Sequence, residues 1–306
     1  IVFIFGINIA GGIPAVVENA QSLPGYLTMM TTYDPVAGVE QPYPIINIIS
    51  MIAWGLGYFG MPHILLRFMA IEDEEKLTLS RRVATIWVVI SLAVAVLIGV
   101  IGLAMSDVGA LKTLTGSDSE TIIVQIADLL SKHGILPALL AGTILAGILA
   151  STMSTADSQL LAASSAVSSD LFGDRVAKTG DKKKAMNAAR FTLLAIAVIA
   201  AFIARDPNSS VFGIVSFAWA GFGAVFGPVV LFALFWRRSN WQGALAGMIS
   251  GGAMVFIWKY LVRPLGGVWN IYELLPAFSV SCLMIVIVSL LTKAPSKEIT
   301  EEFDRV

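Results

Sequence analysis

The stretch "ILASTMSTADSQLLAASSA", residues 148–166, sets Ser151, Thr152, Ser154, Thr155, Asp157, Ser158 and Gln159 in one run between strongly apolar flanks. Between Ser151 and Gln159 only Met153 and Ala156 lack a polar side chain. The run has the composition of a loop, while its flanks have the composition of a membrane helix. On a helix, Ser151, Ser154, Thr155 and Ser158 fall at i, i+3, i+4 and i+7 and share one face. Asp157 lies about 60° to the side of Ser154 and borders that stripe. Whether the stripe lines a path or only decorates a surface depends on what the rest of the chain builds.

The rest of the chain reads as membrane. Hydrophobic residues make up 57% of the 306 and charged residues 13%. That charged share is half of the roughly 25% usual in soluble domains, and the mean hydropathy is +0.81. Apolar stretches near the ~20 residues that cross a ~30 Å hydrocarbon core recur along the chain. Eight are expected: 1–16, 45–68, 83–105, 135–171, 188–204, 211–236, 244–262 and 274–291. The fourth is longer than one crossing needs and is expected to tilt or extend beyond the bilayer. The apolar start, with no basic leader, reads as the inside of a membrane helix rather than a signal peptide. One cysteine, Cys282, provides no disulfide framework.

Basic residues alternate between connections. Arg67, Lys76, Arg81, Arg82, Arg175, Lys178, Lys182, Lys183, Lys184, Arg190, Arg237, Arg238, Lys293, Lys297 and Arg305 fall on one side. The other side holds Lys112, Lys132, Arg205, Lys259 and Arg263. The positive-inside bias places the first set and the C-terminus in the cytoplasm. The organisation expected is a single transmembrane domain over 1–306 with a cytoplasmic tail at 293–306. Residues 18–43 are expected as a polar external loop, and "SETIIVQIADLL" (119–130) as a short amphipathic helix at the surface.

Three stretches carry candidate chemistry. Hydroxyl and carbonyl oxygens are hard donors suited to alkali or alkaline-earth cations. An acidic residue within a membrane is costly and points to function. The stripe therefore reads as an ion or solute path, with Asp157 either a second cation position or a structural hydrogen-bonding group. Alternatively its hydroxyls cross-link helices or bond back to their own carbonyls. In "MIAWGLGYFGMPHILLRF" (51–68), Gly55, Gly57, Gly60 and Pro62 interrupt a span near its middle. Such breaks free backbone groups that lipid cannot satisfy, so they are found lining cavities or buried in protein. Trp54 and Tyr58, four apart, can share a face as an aromatic wall, or simply pack. In "SFAWAGFGAVFGPVVLFALFW" (216–236), Gly221, Gly223, Gly227 and Pro228 suit either a gate or close packing. Gly243, Gly247 and Gly251 form a small-xxx-small series expected to pack helices together.

The motifs "WGLGYFGMPHILLRFMA", "MSTADSQLLAASSAVSSDLF", "VSFAWAGFGAVFGPVVLFALFWRR", "GALAGM" and "LTKAPS" resemble those of the sodium:solute symporter family, and the likeness covers essentially the whole chain. The resemblance implies an all-α polytopic membrane protein with two inverted five-helix repeats. This chain would then hold the last helix of repeat one, all of repeat two and two further helices. It implies sodium as the coupling ion, held by the hydroxyls of Ser154 and Thr155 and the carbonyl of Ser151, with a partner helix lying before Ile1. It implies a solute site of Trp54, Tyr58 and Pro62, and import of L-proline or another small solute across the cell membrane. Asp157 and Ser158 would be a possible second cation position. Two positions depart from the resemblance: Met61 stands where close relatives carry glutamine, and Asp157 where they carry a smaller polar residue.

Other function classes are also weighed. An intramembrane hydrolase could use serine and aspartate, but His63 follows the helix break and His133 starts an outer helix, so no serine–histidine pair is expected. A passive channel would differ from a symporter in failing to accumulate solute uphill. No organic cofactor and no nucleic-acid partner are expected.

Overall fold

The computed structural model describes residues 1–167, 182–205 and 210–305. Contacts divide the chain into two compact units, one of residues 1–22 and 86–210, the other of residues 23–85 and 211–306.

The first unit opens with α1 (Val2–Ile9) and α2 (Ile13–Ser22). These meet at 72°, because Gly11 and Gly12 turn the chain at φ +93° and +100°, a region other residues rarely enter. The expected first span is therefore a bent pair, not one straight helix. Next comes α6 (Lys76–Asp107), which belongs to this unit from Ile86 onward. A 3-10 turn, Gly116–Thr121, leads into α7 (Ile122–Ser131), α8 (Ile135–Ala166) and α9 (Lys182–Ile203). The core gathers Val2, Ala10, Val16, Ile101, Ala104, Met105 and Ile126. A methyl on Gly6 would meet Ile101 Cγ2 at 2.6 Å, so α1 and α6 approach closely only because Gly6 has no side chain. Ala127, Leu130 and Ala141 bury together between α7 and α8. α7 thus buries one face, with Ile126, Ala127 and Leu130, and leaves Val124, Gln125 and Asp128 exposed, as its amphipathic pattern indicated. Ser164 Oγ donates to Ala189 O at 2.8 Å and ties α8 to α9.

The second unit contains a feature absent from the all-α expectation. Residues 18–43 hold the end of α2 and an antiparallel hairpin, β1 (Thr31–Asp34) with β2 (Val39–Pro42). Asp34 Oδ1 accepts from the N–H groups of Val36 and Ala37, and Gly38 turns at φ +69°. Such an aspartate-closed turn is a standard way to join two strands. The segment expected as the second span then breaks into α3 (Ile45–Ile52), α4 (Trp54–Gly57), a 3-10 turn (Tyr58–Gly60) and α5 (Pro62–Met69). After these come α10 (Val211–Phe235), α11 (Trp241–Ile257) with a π turn at Trp258–Val262, α12 (Leu274–Leu291) and α13 (Lys297–Phe303).

The glycine series of α11 packs as its spacing indicated. A methyl on Gly243 would collide with Ser289 Oγ, one on Gly247 with Ile285, and one on Gly251 with the Ala224 carbonyl and Ser281. Pro228 explains the last contact. It supplies no N–H to the Ala224 carbonyl, and Gly251 lets α11 approach that oxygen closely. Gly223 and Gly227 of α10 are likewise filled, by Gly57, Leu274 and Phe278, whereas a methyl on Gly221 would meet nothing within 4 Å. Asn240 closes the other end of the unit. Its Oδ1 accepts from Gly243 N, and its Nδ2 donates to Thr292 Oγ1 and Lys293 O, each at 2.8 Å.

Among the described residues six helices are long and apolar enough to cross a membrane, or seven if the bent pair counts as one. The remaining expected span survives as a shorter apolar helix, Ile45–Gly60. α8 runs about 48 Å at 1.5 Å per residue, more than one hydrocarbon core requires. Residues 168–171 of its expected span, and the basic residues Arg175 and Lys178, lie outside the described residues. Large apolar side chains such as Ile86, Trp87 and Leu92 point away from the protein. A lipid solvent accommodates such surfaces; water does not.

Candidate functional site

The helix break is built by local chemistry. In an unbroken α-helix the carbonyl of Trp54 would accept the N–H of Tyr58. Here Tyr58 N–H also reaches Gly55 O, as the α-helix tightens into the 3-10 turn. Met61 adopts an extended conformation (φ −82°, ψ 113°), and Pro62 restarts the helix at its first turn, where a missing N–H costs nothing. Gly57 and Gly60 press against α10, because a methyl on either would run into Trp219 or into the Phe222 carbonyl.

Aromatic rings surround this break. Trp54 stacks on Trp219 (centroids 5.3 Å apart, planes at 25°), on Phe212 (5.5 Å, 22°) and on Tyr272 (6.0 Å, 16°). Tyr58 meets Trp219 edge-on at 4.9 Å and 82°, and the residue is 54% exposed. Trp219 Nε1–H donates to the Trp54 carbonyl at 3.0 Å. Tyr272 donates its hydroxyl to Ser216 O at 2.6 Å and its N–H to Ser50 Oγ at 3.0 Å. Burial, with the Glu273 carboxylate beside it, pushes the Tyr272 phenol well above the usual tyrosine range. The ring therefore remains a neutral donor. Trp54 and Tyr58 thus share one wall with Trp219. Pro62 is exposed and heads α5 on the far side of the turn.

The polar stripe is a regular part of α8. Ser151, Ser154, Thr155, Asp157 and Ser158 are all exposed. Thr155 Oγ1 donates to Ser151 O at 3.3 Å, Ser158 Oγ to Thr155 O at 2.9 Å and Thr152 Oγ1 to Ile148 O at 3.0 Å. Back-bonding of this kind satisfies hydroxyls in an apolar helix. It also sets two hard oxygens, Thr155 Oγ1 and Ser151 O, 3.3 Å apart. Both could reach one cation at the ~2.4 Å distance of hard oxygen ligation, subtending nearly a right angle. The stripe belongs to the first unit and the aromatic wall to the second.

Trp219, Tyr272 and Ser50 are absent from the site as read from the sequence. A tryptophan in an apolar helix needs a partner for its N–H, and that requirement was the available signal for Trp219. Ser50 and Tyr272 are 222 residues apart, so no local pattern joins them. The two histidines take no part: His133 packs edge-on against Phe5 and bonds Leu129 O, and His63 is exposed on α5.

Comparison with known proteins matches the sodium:solute symporter family over residues 1–251. The chain is 41% identical over 261 residues to the high-affinity proline transporter PutP of Bacillus subtilis, covering 85% of this chain and 52% of that protein. It is 42% identical over 259 residues to the sodium/proline symporter of Salmonella typhimurium, covering 84% and 50%. It is 40% identical over 253 residues to the osmoregulated proline transporter OpuE of Bacillus subtilis, covering 83% and 49%. The chain spans about half the length of the curated relatives it matches. A family match across most of its residues, joined to apolar helices and a broken, aromatic-lined segment, places this chain in the sodium:solute symporter family.

Proposed function

We propose that this chain is the part of a plasma-membrane symporter that couples sodium entry to import of L-proline by alternating access. The observation that carries the reading is the break at Trp54–Pro62, where the Trp54 carbonyl is held by Trp219 and the exposed Tyr58 stands in an aromatic wall. Relatives named as proline transporters and sodium/proline symporters support the choice of solute and ion. Trp54, Tyr58 and Pro62 form the solute site. Ser154 and Thr155 hydroxyls and the Ser151 carbonyl hold sodium, with Asp157 and Ser158 as a second cation position. The chain forms the end of one five-helix repeat, the whole of its inverted partner and two further helices. It crosses the membrane eight times, the first two crossings being interrupted, and its C-terminus is cytoplasmic.

Sodium stabilises the outward-open state and orders the broken helix; solute then permits closure and inward release. Each sodium ion gains ~2.3 kcal/mol per 100 mV of membrane potential, which sustains roughly fiftyfold accumulation of solute before any sodium concentration gradient is added. Because coupling is reciprocal, proline must tighten sodium binding by the factor that sodium tightens proline binding.

Equilibrium binding of labelled proline to the purified intact transporter tests this reading. Binding is expected only with sodium, and Trp54→Ala or Tyr58→Ala is expected to raise the half-saturating concentration. A competition panel of other amino acids and small carboxylates separates proline from another solute of similar size. Sodium-independent binding, or unaltered affinity in both variants, contradicts the assignment.

A further inference from the structure

We infer that Trp219 is the positioning residue of the proposed solute site, holding the helix break in the shape that presents Trp54 and Tyr58. The inference rests on the reading of that break as the solute site. Three separate contacts converge on this one indole. Its N–H donates to the Trp54 carbonyl at 3.0 Å, just before the helix tightens into the 3-10 turn. Its ring lies nearly parallel to Trp54 and edge-on to Tyr58. It also fills the space that a side chain on Gly57 would need.

Its own placement is firm. Trp219 sits one helical turn before Gly223, which contacts Gly57 and Leu274 in the buried core of the second unit. On its N-terminal side, the Ser216 carbonyl receives the Tyr272 hydroxyl. A carbonyl in an apolar region that loses a donor is left under-satisfied, and the backbone that carries it shifts to find another. Losing the indole N–H therefore frees the Trp54–Gly60 turn to wander. Trp219 need not touch the solute to set its affinity, because it fixes the two rings that do.

Trp219→Phe keeps an apolar ring and deletes the N–H. Gly57→Ala leaves the indole intact but drives a methyl into the space it occupies. In the intact transporter both substitutions are expected to raise half-saturating proline by about tenfold, the equivalent of one hydrogen bond, with the maximal rate retained. Both are expected to speed amide hydrogen exchange across residues 54–60. The double variant is expected to be no worse than the worse single one, since both remove the same contact. A space-filling role would instead lower the amount of folded protein or the maximal rate, with affinity and local exchange unchanged, and that result overturns the inference. Should Trp219→Phe fail to reach the membrane, Gly57→Ala carries the same test. Should the unaltered protein bind no proline, the functional reading fails by itself. Exchange at 54–60 then decides the positioning role: faster exchange upholds it and unchanged exchange refutes it.

Discussion

Arg263 Nη1 lies 2.8 Å from Glu273 Oε2, and the glutamate side chain is 1% exposed while the arginine is 41% exposed. Arg263 Nε also donates to Asn270 Oδ1 at 3.1 Å. The two partners are therefore unequal. Removing the arginine strands a buried carboxylate, whereas neutralising the glutamate leaves a cation that can reach water. Arg263→Ala should destabilise the protein by about 3 kcal/mol, and Glu273→Gln by clearly less. Thermal unfolding in detergent checks the order; equal losses would show that the carboxylate is not deprived of solvent as described.

Tyr272 gives the same region a pH dependence. Its folded phenol is raised by burial first and by the Glu273 charge second, while Arg263 opposes them. The unfolded phenol titrates at roughly 10. Stability from the buried neutral ring is thus complete below about pH 10 and falls as the pH rises past it. The unaltered protein should lose melting temperature more steeply above that pH than Tyr272→Phe does. Parallel slopes would remove Tyr272 as the cause.

The Gly251 contact is rigid on both sides, because the atom a methyl would strike is the Ala224 backbone carbonyl. Gly251→Ala should cost about 1–3 kcal/mol, as overpacking does. Gly99→Ala on α6 meets nothing within 4 Å and should be neutral or stabilising by up to about 1 kcal/mol. Paired melting curves of the two variants read this contrast directly.

Ser281 presents the opposite case. Its hydroxyl is fully buried in α12 and has no hydrogen-bond partner among the described residues. An unsatisfied buried hydroxyl is a cost rather than a contribution, so Ser281→Ala should leave stability unchanged or raise it by about 1 kcal/mol. A clear loss of stability would reveal a bond that the present geometry does not contain.

How much of this was legible in the sequence depended on range. The apolar lengths marked the six long helices, and the four-residue spacing of Gly243, Gly247 and Gly251 marked the face they pack. The break at Gly55–Pro62 was visible because glycine and proline act on the backbone locally. The hairpin at 31–42 was hidden, since its strands are four residues each and carry little apolar alternation. The two faces of α7 were visible in its pattern, but not the residues of α1, α6 and α8 that cover the apolar one. Trp219 was missed for the same reason: its hydrogen bond spans 165 residues, and only the fold brings α10 to the break. For the α8 stripe the sequence showed the hydroxyl face of a helix, and the identity of the cation came from family resemblance alone.

Labelled-proline uptake into proteoliposomes containing the intact transporter tests the proposed sodium-driven accumulation most directly. An inward sodium gradient should drive uptake above the external concentration, and dissipating that gradient should abolish the accumulation. Thr155→Val should shift the sodium concentration for half-maximal uptake upward while the protein still inserts normally. Uptake that proceeds equally without sodium, or sodium activation unchanged in Thr155→Val, would contradict the account.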